Sequence, residues 1–266
     1  MRAPRRDLLA PAAVGAGLVV GWQLLVDLGV LDPFFFSRPS AIAARVQDWL
    51  ASGLVYGHLA VTLTEACYGL VLGALLGVSA GFVLALTPAL ARVFNPYVRM
   101  LNAMPRVVLA PIFMLWFGLG IWSKVAFAVT LVFFVVFFNT YQGVREVDMV
   151  VLDNARMLGA SRRQLVRHVL GPSALTWIFS SLHVSVGFAI VGAVVGEYLG
   201  ASRGVGYLIA QSEGLFDTTG VFAGMAVLMA AVLVVDHLVG RLERRLLRWK
   251  HDPSPTPGRE PERSLA

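Results

Sequence analysis

The chain alternates between long runs without a single charged residue and short segments that hold nearly all of its arginine. The charge-free runs cover 8–26, 66–91, 107–123, 125–144, 169–196 and 218–235. Each reaches the roughly 17–25 residues that a helix needs to cross a hydrocarbon core. The pattern predicts an all-α polytopic membrane protein with about six transmembrane helices. A composition of 57% hydrophobic and 14% charged residues excludes an ordinary soluble domain.

The first run follows Arg2, Arg5 and Arg6, as in a signal peptide, but it is too long for an h-region and lacks a small-residue cleavage site. We read it as a retained helix. Cys67 is the only cysteine, so no internal disulfide is available. With the N-terminus inside, all but four of the 22 Lys and Arg residues fall on the cytoplasmic side, leaving Arg38, Arg45, Lys124 and Arg203 outside. The positive-inside rule then places both termini in the cytoplasm. The net charge of +6 is thereby explained by topology, without nucleic acid.

Between the first two runs, "FFFSRPSAIAARVQDWLASG" predicts an aromatic interfacial patch and a short amphipathic helix capped by Ser40 on the outer surface. In the second run, Gly69, Gly73, Gly77 and Gly81 recur every four residues. They form the smooth strip that lets two helix backbones approach closely in lipid. The embedded "GVSAG" matches a nucleophile elbow, but that elbow needs a strand-to-helix turn and this serine, Ser79, sits in mid-helix. In the third run, Pro105 lies at the entry and Pro111 inside. A proline-broken helix in a membrane needs protein or water to cover its freed carbonyls, which makes Pro105, Pro111, Trp116 and Phe117 candidates to line a pathway.

Few ionisable groups fall in or beside the runs. Glu65, Asp236 and His237 are expected near span ends and His183 in mid-span as a helix contact, with no second ligand at metal spacing. Glu197 closes the fifth run and opens the turn-rich "GEYLGASRGVGYLI", expected at the outer mouth. After the last run, "RLERRLLRWK" reads as a basic amphipathic continuation suited to the inner leaflet. The proline-rich remainder from His251 reads as disordered.

The most basic interior segment is "DNARMLGASRRQLVRHVLGP", residues 153–172. Asp148 is placed to cap a helix carrying Met149, Leu152 and Ala155 on one face, and Gly159 falls where a left-handed C-terminal residue is wanted. Ser161 and Gln164 form a capping box for a second amphipathic helix with Leu165, Val166, Val169 and Leu170 on one face and Arg163 and Arg167 on the other. Two short helices meeting at a glycine on the inner membrane surface make a hairpin suited to gripping a soluble partner.

This segment resembles the EAA loop of ABC importer permeases, with Asp153, Asn154, Ala155, Gly159 and Pro172 on the pattern positions. Asp153 stands for the usual Glu, Asn154 for Ala, and Gly171 where Leu is common. "RPSAIAARV", "APIFMLWFGLGIWSK", "FFNTYQGVREVD" and "GEYLGASRGVGYLI" are similar to the nitrate, sulfonate and taurine branch of that family. The resemblance implies a type I ABC importer permease fold: a homodimeric subunit fed by an extracytoplasmic substrate-binding protein and driven by two ABC ATPase subunits. It implies a multi-pass protein of the bacterial plasma membrane and coupling through Asp153, Ala155, Leu158, Gly159, Ala160, Arg163 and Leu165. From the broken third run and the outer position of the segment after the fifth, the pathway is expected along Pro105, Pro111, Trp116, Phe117 and Glu197, and docking of the binding protein at Gly204 and Gly206. The expected division is an N-terminal helix and interfacial segment over 1–57, a permease domain over 58–242 containing the loop 148–172, and a cytoplasmic tail over 243–266.

No phosphate-binding loop of the G-x-x-x-x-G-K-[ST] type occurs in the chain. A subunit without catalytic, cofactor or metal residues is therefore expected, with ATP hydrolysed on a partner. A secondary transporter or channel is the rival, which internal repeats and midplane charges would favour. An intramembrane enzyme would have to pair Ser79 with His183. The cargo is expected to be a small solute such as a sulfonate or nitrate.

Overall fold

The computed structural model describes residues 5–247. Arg2 and the proline-rich tail from His251 lie outside them. Every regular element among the described residues is helical. Among the described residues five helices are long and apolar enough to cross a membrane, or six if one bent pair counts as a span.

Helix α1 (Arg5–Asp27) is exposed to its surroundings over most of its described length. After it come the single turn α2 (Pro33–Phe36) and helix α3 (Pro39–Ala51). Ser40 does not cap α3; the helix starts one residue earlier with Pro39 in its first turn, and the Ser40 N–H donates to Gln23 Oε1 at 3.1 Å. The buried face of α3, Ile42 and Trp49, packs on Val205, Leu208, Ala223 and Val227. An Arg45–Asp217 ion pair and a Ser37–Thr219 hydrogen bond of 2.8 Å tie this N-terminal segment to the start of the last helix.

Helix α4 (Leu54–Leu86) begins a dozen residues before the charge-free run does. Glu65 therefore sits within a long span, 3% exposed, and not at a span end. The charge-free criterion failed because it ends a span at any ionisable residue, including one that is buried in protein.

Helix α5 (Pro88–Ala103), a 3₁₀ turn at Arg106–Val108 and helix α6 (Leu109–Phe117) replace the expected third span. The two halves meet at 80°. Met104, forced out of helical geometry by the following proline, has ψ 136°. The run 107–123 is thus only half of a broken element, and the amphipathic α5 that precedes it is the other half.

Helix α7 (Ile121–Arg145) is the centre of the bundle, with twelve buried residues between α4 on one side and α10 (Gly171–Gly200) on the other. All four glycines of the ladder face α7. A β-carbon at Gly73 would lie 2.7 Å from Val132 Cβ, and one at Gly77 2.8 Å from the Phe133 carbonyl. From the opposite side, a β-carbon at Gly192 would lie 2.5 Å from Ala128 Cα. The same Ala128, fully buried, also blocks a side chain at Gly69. Ser79 is exposed on the far side of α4, away from His183, which instead bonds Asp236 (2.6 Å) and Glu243 (3.0 Å) of α12.

The chain closes with α8 (Met149–Met157), α9 (Arg162–Leu165), α11 (Val205–Gly214) and α12 (Thr218–Leu246). Asp217 caps α12 by accepting from the Gly220 N–H at 3.0 Å.

Gly77→Leu should destabilise the chain by about 3 kcal/mol or more, since the new side chain meets backbone and cannot be relieved by a rotamer change. Ser79→Leu, two residues away on the exposed face, should change stability by no more than about 0.5 kcal/mol. Thermal unfolding of the detergent-purified chain reads both; equal effects would refute the close-packed ladder.

Candidate functional site

Two regions at opposite ends of the bundle hold the candidate chemistry. The first is the hairpin formed by α8 and α9. Asp148 Oδ1 accepts from the Val150 N–H at 2.8 Å and starts α8. At its other end the Gly159 N–H donates to the Arg156 carbonyl (2.9 Å) and the Ala160 N–H to that of Ala155 (3.0 Å), the bond pair of a Schellman cap. Gly159 has φ +81°, and a β-carbon there would meet nothing within 4 Å. Backbone conformation, not space, selects glycine. The capping box follows as expected: Ser161 N–H to Gln164 Oε1 at 2.8 Å and Gln164 N–H to Ser161 Oγ at 3.4 Å.

The second arm departs from the expectation of a separate short helix. Through a π turn over Val166–Leu170 it runs straight into α10. Pro172 supplies no N–H for the His168 carbonyl, and the Gly171 N–H turns to the Val166 carbonyl instead. A β-carbon at Gly171 would lie 2.9 Å from that carbonyl, which accounts for glycine where the family pattern has leucine.

The predicted hairpin residues divide by exposure. Asp153, Leu158, Gly159 and Arg163 are exposed, Ala155 and Ala160 half-buried. Leu165, expected on the gripping surface, is instead buried with Val144, Leu152, Leu170 and Ala174, where it anchors the hairpin to the bundle. Asp153 pairs with Arg156 at 2.9 Å on the surface. Two features were missed. Arg162 donates to the Leu86 carbonyl at 3.1 Å and ties the hairpin to the end of α4. Met157 is 85% exposed at the tip, beside the expected Leu158 at 89%; Met157 followed no periodicity, because the helix ends on it.

At the other end Glu65, Lys124 and Glu197 are buried at 3%, 3% and 1% exposure. Glu197 Oε1 accepts from the Thr62 hydroxyl (2.7 Å) and Oε2 from the Gly206 N–H (2.7 Å), while Thr62 Oγ1 accepts from the Val205 N–H (2.9 Å). The carboxylate thus closes the first turn of α11. Gly204 (φ +113°) and Gly206 are buried against Glu197, with no room at either for a β-carbon. The exposed part of this loop is Ser202 and Arg203. Lys124, counted from sequence among the outside residues, lies in the first turn of α7 with its stem on Gly196. Its ammonium donates to the carbonyls of Leu119 and Gly120, the latter at 3.1 Å.

The remaining pathway candidates sit on the broken element. Pro105 precedes the 3₁₀ turn and Pro111 lies in α6. Trp116 and Phe117 are 67% and 53% exposed, and Phe113 meets the Trp116 ring edge-on at 6.0 Å. A cavity of about 400 Å³ lies where α6 gives way to α7, lined by Thr64, Glu65, Lys124 and Arg203 among others. Another, of about 460 Å³, lies near the hairpin, with Asn95 and Arg99 of α5 facing Tyr141 and Arg145 of α7 and Trp177 of α10. No cluster of three metal-ligating side chains occurs among the described residues.

A bundle with a broken span, a capped hairpin and buried charge at the far end is the architecture of a membrane permease. Residues 69–248 match the binding-protein-dependent transport system inner membrane component, and the chain belongs to that family. It is 33% identical to the putative aliphatic sulfonates transport permease protein SsuC of Bacillus subtilis, over 92% of this chain and 88% of that protein. It is 34% identical to the formylaminopyrimidine transport permease protein ThiX of Halalkalibacterium halodurans (91% and 96%) and 36% to the riboflavin transport system permease protein RibX of Chloroflexus aurantiacus (88% and 87%). Among solved structures, an inward-facing MetNI methionine ABC transporter superposes with a TM-score of 0.63 at 19% identity, over 72% of this chain and 95% of that one. The chain is an ABC importer permease subunit that forms a translocation pathway.

Glu197→Ala should leave the Gly206 N–H without its acceptor and the Thr62 hydroxyl with only the His58 carbonyl, 3.2 Å away. Amide exchange at Val205 and Gly206 should accelerate roughly ten- to a hundredfold, the equivalent of losing one to two buried hydrogen bonds. Unchanged exchange at those amides would remove Glu197 from the support of α11.

Proposed function

We propose that the chain acts as a homodimer in a bacterial plasma membrane, importing a small solute delivered by an extracytoplasmic binding protein, and that separate ABC ATPases drive it through the hairpin. The observation that carries this reading is the apolar tip of the hairpin. Met157 and Leu158 stand almost fully exposed, beside Met149 and Val150 at 61% and 64%, at the end of the bundle where arginine is concentrated. The positive-inside rule puts that end in the cytoplasm, so these side chains face water and not lipid. Exposed apolar groups rimmed by charge mark a docking surface for a soluble protein. The absence of a phosphate-binding loop from the sequence supports a separate ATPase.

The pathway in this reading follows the broken α5–α6 element, since one cavity lies just past the end of α6 and another against the middle of α5. Pro105, Pro111, Trp116 and Phe117 belong to it, and the exposed face of α6 awaits the second copy or the solute. Glu197 contributes from behind, by holding α11. Gly204 and Gly206 act likewise, setting the shape of the loop whose Ser202 and Arg203 would meet the binding protein. The relatives' names span sulfonates, a pyrimidine and riboflavin, which supports a small organic solute as the cargo.

Gly159→Val should insert and fold yet lose capture of the ATPase or uncouple hydrolysis from uptake, because a β-branched residue at φ +81° carries about 1–3 kcal/mol of local strain. Gly159→Asn, which tolerates that backbone, should keep most coupling. Arg163→Ala should do less than Gly159→Val, because an exposed ionic contact contributes only about 0–1 kcal/mol. ATPase pull-down with uptake scored in parallel is the measurement; wild-type capture and uptake in Gly159→Val would refute the coupling role.

Cysteines placed singly at positions 108 to 116 should react with a polar thiol reagent in a manner that changes with ATPase state. Uniform inertness would take the α6 segment out of the pathway.

A further inference from the structure

The hairpin-proximal half of α10 is tied to the end of α12 by one polar contact. His183 of α10 lies between two carboxylates of α12, its Nδ1 2.6 Å from Asp236 Oδ1 and its Nε2 3.0 Å from Glu243 Oε2. Asp236 and Glu243 stand two turns apart on one face of α12. Gly240 lies between them, and a β-carbon there would be 3.4 Å from His183 Cε1. The ring thus settles over bare backbone, with a carboxylate at each nitrogen.

A neutral imidazole has one N–H and one lone pair. It can donate to one carboxylate but turns its lone pair on the other. Both contacts form only when the three groups share two protons, which the imidazolium supplies with a donor on each nitrogen. The remaining charged group on this face of α12 is Arg244, whose Nη1 would lie 3.5 Å from a Gly240 β-carbon. It pairs with neither carboxylate among the described residues. Against the rest of α10, helices α4 and α7 present apolar side chains, Ala74, Val78, Val132 and Val136 among them. Arg167 and His168 lie in the π turn before α10, and α6 and α11 meet α10 toward its other end, at Gly200 and at Glu197. The His183 side chain is 33% exposed, so its proton exchanges with solvent. By the positive-inside rule that solvent is the cytoplasm.

Apolar packing carries α12 along the bundle as far as Val239. Beyond it, among the described residues, Glu243 is the side chain of α12 that bonds another helix.

We propose that His183, Asp236 and Glu243 form a proton-operated clasp. Closed, with an N–H on each ring nitrogen, it binds the cytoplasmic end of α12 to α10. Loss of one proton to the cytoplasm leaves the ring bonded to a single carboxylate, frees Glu243 and lets that end of α12 part from α10. Because the closed form holds the extra proton, the clasp is closed at low cytoplasmic pH and opens as pH rises. Histidine is the side chain that titrates nearest neutrality, so the change falls within the range a cell can meet.

The test is a spin-label distance between positions 180 and 245, both exposed, in a Cys67→Ser background. The full chain is held in nanodiscs and diluted with unlabelled chain, so that each assembly carries one labelled copy. The wild type should show one short distance at about pH 6 and a longer population that is the majority by about pH 9. Glu243→Gln should stay short at every pH, because its amide N–H donates to the lone pair of a neutral ring while the other ring N–H serves Asp236. His183→Leu should show the longer population at every pH. A wild-type distance that does not change with pH overturns the clasp, as does a pH response that survives in Glu243→Gln. Glu243→Gln keeps the contact closed, so it reports even where His183→Leu lowers the yield of folded chain.

One consequence rests on the coupling reading. When the hairpin is displaced, α12 follows α10 only while the clasp is closed, so ATPase-driven uptake should fall as cytoplasmic pH rises in the wild type and fall less in Glu243→Gln. Distances that respond to pH with uptake unchanged support the clasp and overturn its link to coupling.

Discussion

The bundle depends on the absence of side chains where α4, α7 and α10 cross. Ala128 of α7 is fully buried between Gly69 of α4 and Gly192 of α10. In lipid, helices gain little by hiding apolar surface from one another, so what holds them is dispersion at short range and the fit that permits it. Three backbones can approach this closely only where two glycines and an alanine coincide. From that point α4 keeps contact with α7 along the rest of its glycine ladder, and α10 keeps contact through Gly196 at one end and, by way of Trp177 on Gly143, at the other.

Because α7 is clamped on two sides, its ends are fixed with respect to α4 and α10, and both candidate sites are built there. At one end α7 leads through Asp148 into the hairpin; at the other its first turn presents Lys124 to the end of α6. The Lys124 stem rests on Gly196, one residue before Glu197. The close approach that packs the helices thus also brings a buried lysine next to a buried glutamate. Placing such groups in a membrane is costly unless hydrogen bonds meet them, and here they are met by the carbonyls of the link between α6 and α7 and by an N–H group in the first turn of α11.

What the sequence made legible follows from how local each determinant is. The glycine ladder, the Asp148 cap, the left-handed Gly159 and the Ser161–Gln164 box are set by residues within a turn or two of one another, and spacing alone revealed them. The number of apolar runs likewise anticipated the five or six spans. Three things escaped. The true start of α4 and the burial of Glu65 and Lys124 depend on partners more than fifty residues away, so a charge read as a boundary was an interior group. The third span was read from its apolar half, because α5 carries Arg92 and Arg99 and looks interfacial. Leu165 was assigned to the partner surface because a short amphipathic helix has one apolar face, and sequence does not say whether that face meets the bundle or another protein.

The hairpin's fixed points govern how force can pass through it. Its tip is closed by a Schellman cap and a capping box, and its arms are held to the bundle by Leu152 and Leu165 in the core and by Arg162 on the Leu86 carbonyl. Such a unit moves as one piece more readily than it bends. Between it and the thirty residues of α10 lies a single irregular stretch, the π turn enforced by Pro172. In the proposed coupling, a displaced ATPase surface would load α10 through that turn, and the last turn of α10 carries Glu197, which holds α11, just before the residues Ala201–Arg203 that line the far cavity. The route from tip to mouth is one helix long. A π turn is the natural place for rotation along it, since its hydrogen bonds are already out of α-helical register and lose least by shifting again.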